Sequence, residues 1–206
     1  MKLNNFNRVA PIYDLLAKLI FGNSLLRAQS HFLKQLPENK RVLFVGGGTG
    51  QLLNHSFFTK ASHVEYLELS EQMIERAKLQ AIHHKNIDFI QGNFFDCQGK
   101  YDVIICNFFL DCFNETNLKL AVEHLYRLSS SQTTLVVTDF NRTDKLRHKM
   151  LIKMMILFFS VFSGLEARKL LPMKSHVQDY FEVIDTQLFK KGLIFTSIYK
   201  SKRKRI

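Results

Sequence analysis

The sequence predicts a doubly wound α/β sheet of seven strands, mostly parallel, closed by an antiparallel C-terminal hairpin and carrying helices on both faces. Short apolar runs of strand length alternate with stretches of helical periodicity through residues 41–140, the pattern of a parallel sheet with crossover helices. The first run, Arg41-Val42-Leu43-Phe44-Val45, turns directly into Gly46-Gly47-Gly48-Thr49-Gly50. The last two runs, 181–189 and 193–199, alternate about a Lys190-Lys191-Gly192 turn, as antiparallel hairpin strands do.

Taken in order, residues 5–21 hold Ile12, Leu15, Leu16, Leu19 and Ile20 at helical spacing. Ser24 can cap a second helix to about residue 36, with Leu25, Ala28, Phe32, Leu33 and Leu36 on one face. A turn at 37–40 leads into the first strand, 41–45, and a helix is expected over about 51–58. The second strand, 63–69, contains Glu68 at its end, and Ser70 caps a helix carrying Met73, Ile74, Ala77 and Ala81. The third strand is 86–91, followed by Gly92-Asn93-Phe94-Phe95-Asp96. The fourth is 101–107, Asn114 caps a helix to about 128, and the fifth strand is 133–138, running out into Asp139-Phe140.

Residues 145–162 are apolar nearly all round, which predicts a helix buried on more than one face. The run is too short, and too interrupted by Lys153, to span a bilayer, which takes about 20 residues. Core packing with a cover over a substrate cavity, a dimer contact and a membrane surface are the readings it allows. A short helical piece is expected near 176–180, before the hairpin.

The chain has 206 residues and 46% hydrophobic content, which suits one domain with a full core and no repeat or linker. Net charge is +11, and the tail Lys200-Ser201-Lys202-Arg203-Lys204-Arg205 carries five of the positive charges. Such a run solubilises, or contacts nucleic acid or an anionic membrane. Cys97, Cys106 and Cys112 have neither metal-ligand spacing nor even pairing, so no metal site is expected and they read as reduced thiols. Residues 1–8 lack the apolar core of a signal peptide, and a cytoplasmic location is expected.

The glycine turn narrows the ligand. A P-loop ends in Gly-Lys-Ser/Thr, whereas Thr49-Gly50-Gln51 stands here. A dinucleotide loop needs a small third residue, and Gln51 occupies that place. Gly46, Gly48 and Gly50 instead run G-x-G-x-G. Ligands of such sheets bind outside the carboxyl ends of the strands, where Gly46, Glu68, Asn93 and Asn107 fall. A strand-end carboxylate at Glu68 can accept both ribose hydroxyls of a nucleoside, or simply stand in solvent.

With Leu43-Phe44-Val45 before it and Thr49 inside it, the loop resembles motif I of class I S-adenosylmethionine-dependent methyltransferases, whose fold is Rossmann-like. Residues 66–78, with Glu68, Leu69 and Met73, are similar to that family's ribose carboxylate and following helix. Gly92-Asn93-Phe94 resembles its adenine segment, and Tyr101-Asp102-Val103-Ile104-Ile105 its motif IV. Phe6-Asn7-Arg8-Val9-Ala10-Pro11-Ile12-Tyr13-Asp14 is similar to the start of the ubiquinone/menaquinone-biosynthesis methyltransferases. The resemblance implies S-adenosyl-L-methionine as cofactor, with S-adenosyl-L-homocysteine as product. Gly46, Gly47, Gly48, Thr49 and Gly50 would hold the methionyl end, and Glu68 the ribose. Leu69, Met73, Asn93 and Phe94 would surround the adenine, Asn107 would lie near the methyl, and Tyr13 would close over the sulfonium. It also implies one domain over 1–206: cofactor-covering helices (1–36), core (40–140), apolar lid (144–180), closing hairpin (181–200) and basic tail (200–206). The family usually carries an acid where this chain has Phe44; Asp14 or Asp111 can stand in for it.

That cofactor brings its own electrophile, so the protein's task is orientation and, for a hydroxyl acceptor, proton removal. Asp111, just past the fourth strand, is the candidate base or acceptor-positioning residue; the alternative is a helix-start carboxylate. His148 and His176 are weaker candidates. Asn107-Phe108-Phe109-Leu110 lacks the prolines of amine-modifying relatives, and the surrounding phenylalanines suggest a small apolar or aromatic acceptor. Two alternatives stand beside it. One is an RNA- or protein-directed methyltransferase, suggested by the charge. The other is a cofactor-binding protein without transfer, suggested by Phe44. Expected partners are the small-molecule acceptor, a membrane or RNA at the basic tail, and a second copy at the apolar helix.

Overall fold

The computed structural model describes Asn7 and residues 10–202. Residues 1–6 and 8–9, of which 5, 6, 8 and 9 begin the expected first helix, and 203–206 of the basic tail lie outside the described residues. One seven-stranded sheet runs in the order β3-β2-β1-β4-β5-β7-β6. Its strands are β1 (Arg41–Val45), β2 (His63–Glu68), β3 (Ile87–Gln91), β4 (Tyr101–Asn107), β5 (Ser129–Phe140), β6 (Phe181–Phe189) and β7 (Ile194–Ser201). The first five are parallel, and β7 is antiparallel to both β5 and β6. The expected fold class is therefore borne out.

The central strands β1, β4 and β5 are buried on both faces, and their side chains alternate between two cores. Val42 and Phe44 of β1 join Phe32, Phe58 and Tyr66 on one face. Leu43 and Val45 join Ile104, Leu118 and Leu125 on the other. Helices α3 (Ser56–Lys60) and α4 (Glu71–Gln80) serve the first face, α5 (Glu115–Arg127) and α7 (Met173–Gln178) the second. A third cluster gathers Phe21, Ala28, Phe140, Ile152 and Ile194. It brings α1 (Ala10–Phe21), α2 (Ser24–Ser30) and α6 (Leu146–Ser163) over the ends of β5 and β7.

Two of the three predicted caps form; Ser24 is instead the first residue of α2, which follows Asn23 with no side-chain cap bond. Ser70 Oγ accepts from Met73 N–H at 3.2 Å, and Asn114 Oδ1 accepts from Asn117 N–H at 3.0 Å. Each satisfies a backbone donor that a helix start leaves open. The single helix expected over 51–58 is instead a 3-10 turn, Gln51–Asn54, followed by α3. The break comes from His55, whose ring Nδ1 accepts from Phe57 N–H at 3.2 Å and starts a new helix. The helix expected over 24–36 likewise ends at Ser30, and residues 33–35 form a 3-10 turn.

Strand β5 is longer than the apolar run 133–138 suggests. Its polar start, Ser129-Ser130-Ser131-Gln132, reads as a loop, yet Thr133 Oγ1 donates to Tyr101 O at 2.6 Å and Ser129 pairs with Tyr101. Further along, Thr138 and Thr196 hydroxyls meet at 2.9 Å. Polar residues are tolerated inside a sheet where every hydroxyl finds a partner.

The expectation that α6 is buried on more than one face is corrected. Only Ile152 and Ser163 of this helix are buried. One face covers the third cluster, and Leu146, Met150, Met154, Leu157 and Val161 are each 60% exposed or more. A nearly uniform apolar helix gives no moment to choose a face by, so tertiary packing chose one.

Candidate functional site

Strand β1 pairs with β2 on one side and β4 on the other. The chain reverses its winding there, which opens a crevice at the carboxyl ends of β1 and β4. Gly46 follows β1 and Asn107 ends β4, so both stand at its mouth. The crevice holds a cavity of about 360 Å³ lined by Gly46, Gly47, Gly48, Thr49, Asn107 and, from α1, Tyr13 and Asp14.

The glycines divide their work. Gly48 has φ +63° with open space where a Cβ would stand, so bare backbone faces the cavity. Gly50, at φ +79°, sits behind the loop, and a Cβ there would lie 2.7 Å from Ala77 Cα in α4. Gly50→Ala therefore combines left-handed strain with backbone overlap and is expected to cost ~2–5 kcal/mol. Gly48→Ala should show the strain alone, ~1–2 kcal/mol. Thermal unfolding of both checks this, and equal losses would refute the division.

Glu68 is 8% exposed and braces the loop. Its Oε2 accepts from Gly48 N–H at 3.0 Å, and its Oε1 from Leu69 and Ser70 N–H at 2.9 Å each. Burial raises its pKa while these backbone donors pull it down. A carboxylate offers about four acceptor positions, so one on Oε2 stays open. Tyr66 adds a second brace, its hydroxyl donating to Gly48 O at 2.9 Å.

Asn107 is 3% exposed, and among the described residues neither its Oδ1 nor its Nδ2 has a hydrogen-bond partner. A buried, unpaired amide is costly, and here it lies on the cavity wall. Phe108 follows with φ +49°, a left-handed conformation that a bulky residue holds only when its surroundings force it. Phe108 N–H donates to Thr138 O at 2.7 Å, which supplies that force.

Phe44 is 1% exposed and stacks on Phe58, with ring centroids 5.6 Å apart. An aromatic cluster thus stands where an acid was expected. Asp14 stands at the cavity beside the loop: Thr49 Oγ1 donates to Asp14 Oδ1 at 2.8 Å. Asn7 Oδ1, earlier in the chain, accepts from Ser70 Oγ at the start of α4 at 2.5 Å.

The expected adenine residues are less uniform. Leu69 is half-buried and Met73 buried. Asn93 Oδ1 is taken by Phe95 N–H at 3.2 Å. Phe94 lies in the core, edge-on to Phe109 and His124.

A second cavity, about 280 Å³, adjoins the first. Tyr13, Ala17, Leu25 and Phe108 line both. The rest of its wall is apolar, from Phe140 and from Ile152, Met155 and Phe159 of α6, apart from Asp111 and Cys112. Burial pushes the Asp111 carboxyl up to about 6. It also holds the Tyr13 phenol and the Cys106 and Cys112 thiols well above their ordinary values, so all three stay neutral. His148 and His176 line neither cavity.

Asp139 was missed as a site residue. It is fully buried at the end of β5, and its Oδ2 accepts from Asp111 N–H at 3.2 Å and its Oδ1 from Phe140 N–H at 2.7 Å. Burial and the neighbouring Asp111 charge raise its pKa above the ordinary carboxylate value, and its hydrogen bond to Asp111 N–H anchors the turn bearing Asp111. Its signal was a carboxylate at the carboxyl end of a strand beside β4.

These residues fit the expected cofactor. Bare backbone at Gly48 suits close approach, Asp14 supplies an acid for an ammonium group, and Asn107 is a polar group awaiting a partner. Among the described residues, no cluster of side chains could hold a metal ion.

A family model described as a methyltransferase domain matches residues 20–174. A malonyl-[acyl-carrier protein] O-methyltransferase of Halalkalibacterium halodurans is 31% identical over 120 residues, covering 50% of this chain and 42% of that protein. The chain thus matches under half the length of that relative. Among solved structures, the fold is similar to a chain of the complex between the Haloferax volcanii Trm112 methyltransferase activator and a methyltransferase. That match has TM-score 0.73, 11% identity, and covers 98% of this chain and 100% of that one. It is also similar to the N-methyltransferase NodS of Bradyrhizobium japonicum WM9 in complex with S-adenosyl-L-homocysteine. Here the TM-score is 0.65 at 11% identity, over 87% of this chain and 84% of that one.

Proposed function

We infer the reaction from one premise: this chain belongs to the methyltransferase-domain family, as a class I, S-adenosylmethionine-dependent member. Its acceptor is a small apolar or aromatic molecule, and it works in the cytoplasm. The observation that carries the acceptor reading is the pair of adjoining cavities, one polar and built on the glycine loop, the other apolar and bearing Asp111, with Tyr13 and Phe108 shared between them.

Bound S-adenosylmethionine supplies a methyl group on a sulfonium sulfur and is left as S-adenosylhomocysteine. The chain's residues do the rest. Backbone at Gly46 to Gly48 and the Asp14–Thr49 pair hold the methionyl end. Glu68, whose Oε2 keeps one acceptor position open beside Gly48 N–H, would accept a ribose hydroxyl. Asn107 would offer its unpaired amide to the cofactor, and Tyr13, which lines both cavities, would stand at their junction. The apolar wall seats the acceptor in line, and well-oriented groups reach effective molarities of ~10⁵–10⁸ M. For a hydroxyl acceptor, the Asp111 carboxylate takes the proton. No thiol is called on, because Cys106 and Cys112 are held protonated.

Labelled S-adenosylmethionine incubated with cell extract, then split into lipid, small-molecule, RNA and protein fractions, tests this reading. Label is expected in the lipid or small-molecule fraction. Label confined to RNA or protein would replace the acceptor. Calorimetry with S-adenosylmethionine and S-adenosylhomocysteine tests the premise, and no binding of either at millimolar ligand would sink it.

A further inference from the structure

The exposed side of α6 is organised. Leu146, Met150, Met154, Leu157 and Val161 are 60–71% exposed, and at about 100° per residue they fall within an arc of roughly 80°. Arg147 flanks that arc on one side and Lys153 on the other, both exposed. Asp144 is the single acid in residues 141–163, against five Lys and Arg. On α1, Leu15 and Leu19 are 69% and 79% exposed beside Lys18. The two helices meet at Tyr13 and Phe159, ring centroids 6.2 Å apart, and together wall the apolar cavity. Met154 belongs to both the exposed stripe and the cavity wall. The Lys190-Lys191 turn joins the same end: Lys145 Nζ donates to Lys191 O, and Lys190 Nζ to Ile20 O.

We propose that this face of α6 and α1 seats the protein on an anionic lipid surface, so that the apolar cavity opens towards the bilayer and takes a lipid-borne acceptor. The proposal rests on the apolar-acceptor reading of the site and deepens it. Charge complementarity selects the occupant. An apolar stripe bordered by basic residues is the pattern of a helix lying in a membrane interface, its apolar side in the acyl boundary and its cations among anionic headgroups. Two copies meeting here would oppose two basic borders, and interface cores are depleted of lysine. Among the described residues, no helix is long and apolar enough to cross a membrane, so the helix lies on the surface.

The full chain is sedimented with vesicles of phosphatidylcholine plus phosphatidylglycerol, and with phosphatidylcholine alone. Binding is expected to the mixed vesicles, falling with salt. Arg147→Glu/Lys153→Glu should weaken it at least ~10-fold, since each basic residue near such a surface contributes about fivefold. Met150→Glu/Leu157→Glu should abolish it. These side chains line neither cavity, so both variants should keep the wild-type thermal transition and S-adenosylmethionine affinity. No binding to either vesicle would overturn the proposal, as would binding untouched by both variants. A wild-type dimer that Met150→Glu/Leu157→Glu splits would make the face a contact between copies and overturn it too. Because cofactor affinity is read separately, a failure of docking is distinguishable from a failure of the site. Label still reaching the lipid fraction without vesicle binding would sink the docking alone.

Discussion

With a hydroxyl acceptor, Asp111→Asn is expected to lower kcat by ~10²–10⁴-fold, the range of a positioned general base, with S-adenosylmethionine affinity unchanged. Asp111 lines the apolar cavity and not the polar one, so its loss acts on the acceptor side. The ionised form is the active one, and burial places its midpoint at about 6. Activity should therefore rise with pH through about 6 and fall away below it as the carboxyl gains a proton. Burial and the Asp111 charge raise the Asp139 pKa too. Asp139→Asn retains an acceptor oxygen for the Asp111 N–H and should leave the Asp111-dependent activity in place. A pH–rate profile of each variant against the acceptor found in the fractionation decides it. Full kcat in Asp111→Asn, or a flat profile through pH 6, would remove the base.

Glu68→Ala should weaken S-adenosylmethionine binding by more than the loss of one charge-assisted contact. A hydrogen bond to a charged group is worth about 1.5–3 kcal/mol, or roughly 10- to 150-fold in Kd. The variant also orphans the Gly48, Leu69 and Ser70 N–H groups that Glu68 now accepts. Bracing and ribose contact can be separated by titrating a 2′-deoxyribose analogue beside the natural cofactor. Wild type should prefer the natural ligand, and Glu68→Ala should lose that preference in a double cycle. A variant that still discriminates would leave Glu68 as a brace of the loop only.

Much of this site was legible in the chain. Strands β1 and β4 were placed to the residue, because a buried parallel strand is a short continuous apolar run bounded by turn residues. Ser70 and Asn114 were read as caps, and both cap. Gly46 and Asn107 were assigned to the strand ends, and they stand together at the reversal of winding. The failures share a cause. His55 divided a predicted helix because an imidazole caps as a side chain acceptor can, which apolar periodicity does not record. The polar start of β5 became strand because Ser129 pairs with Tyr101 of β4 and Thr133 Oγ1 donates to Tyr101 O, a pairing more than twenty residues away in sequence. Asp139 looked like the last residue of a strand until Asp111 was seen to hang from it.

Alternation and turn chemistry in the sequence alone determined the class of fold, the order of its elements, the glycine loop and the methyltransferase resemblance, because these are local patterns repeated along the chain. Only tertiary structure decided which side of the all-apolar α6 was buried, that Asp14 rather than an acid before Gly46 stands at the loop, and that a polar and an apolar cavity share a wall at Tyr13 and Phe108. Each of those depends on two distant segments meeting, and burial and pairing between distant segments leave no period in a sequence to read.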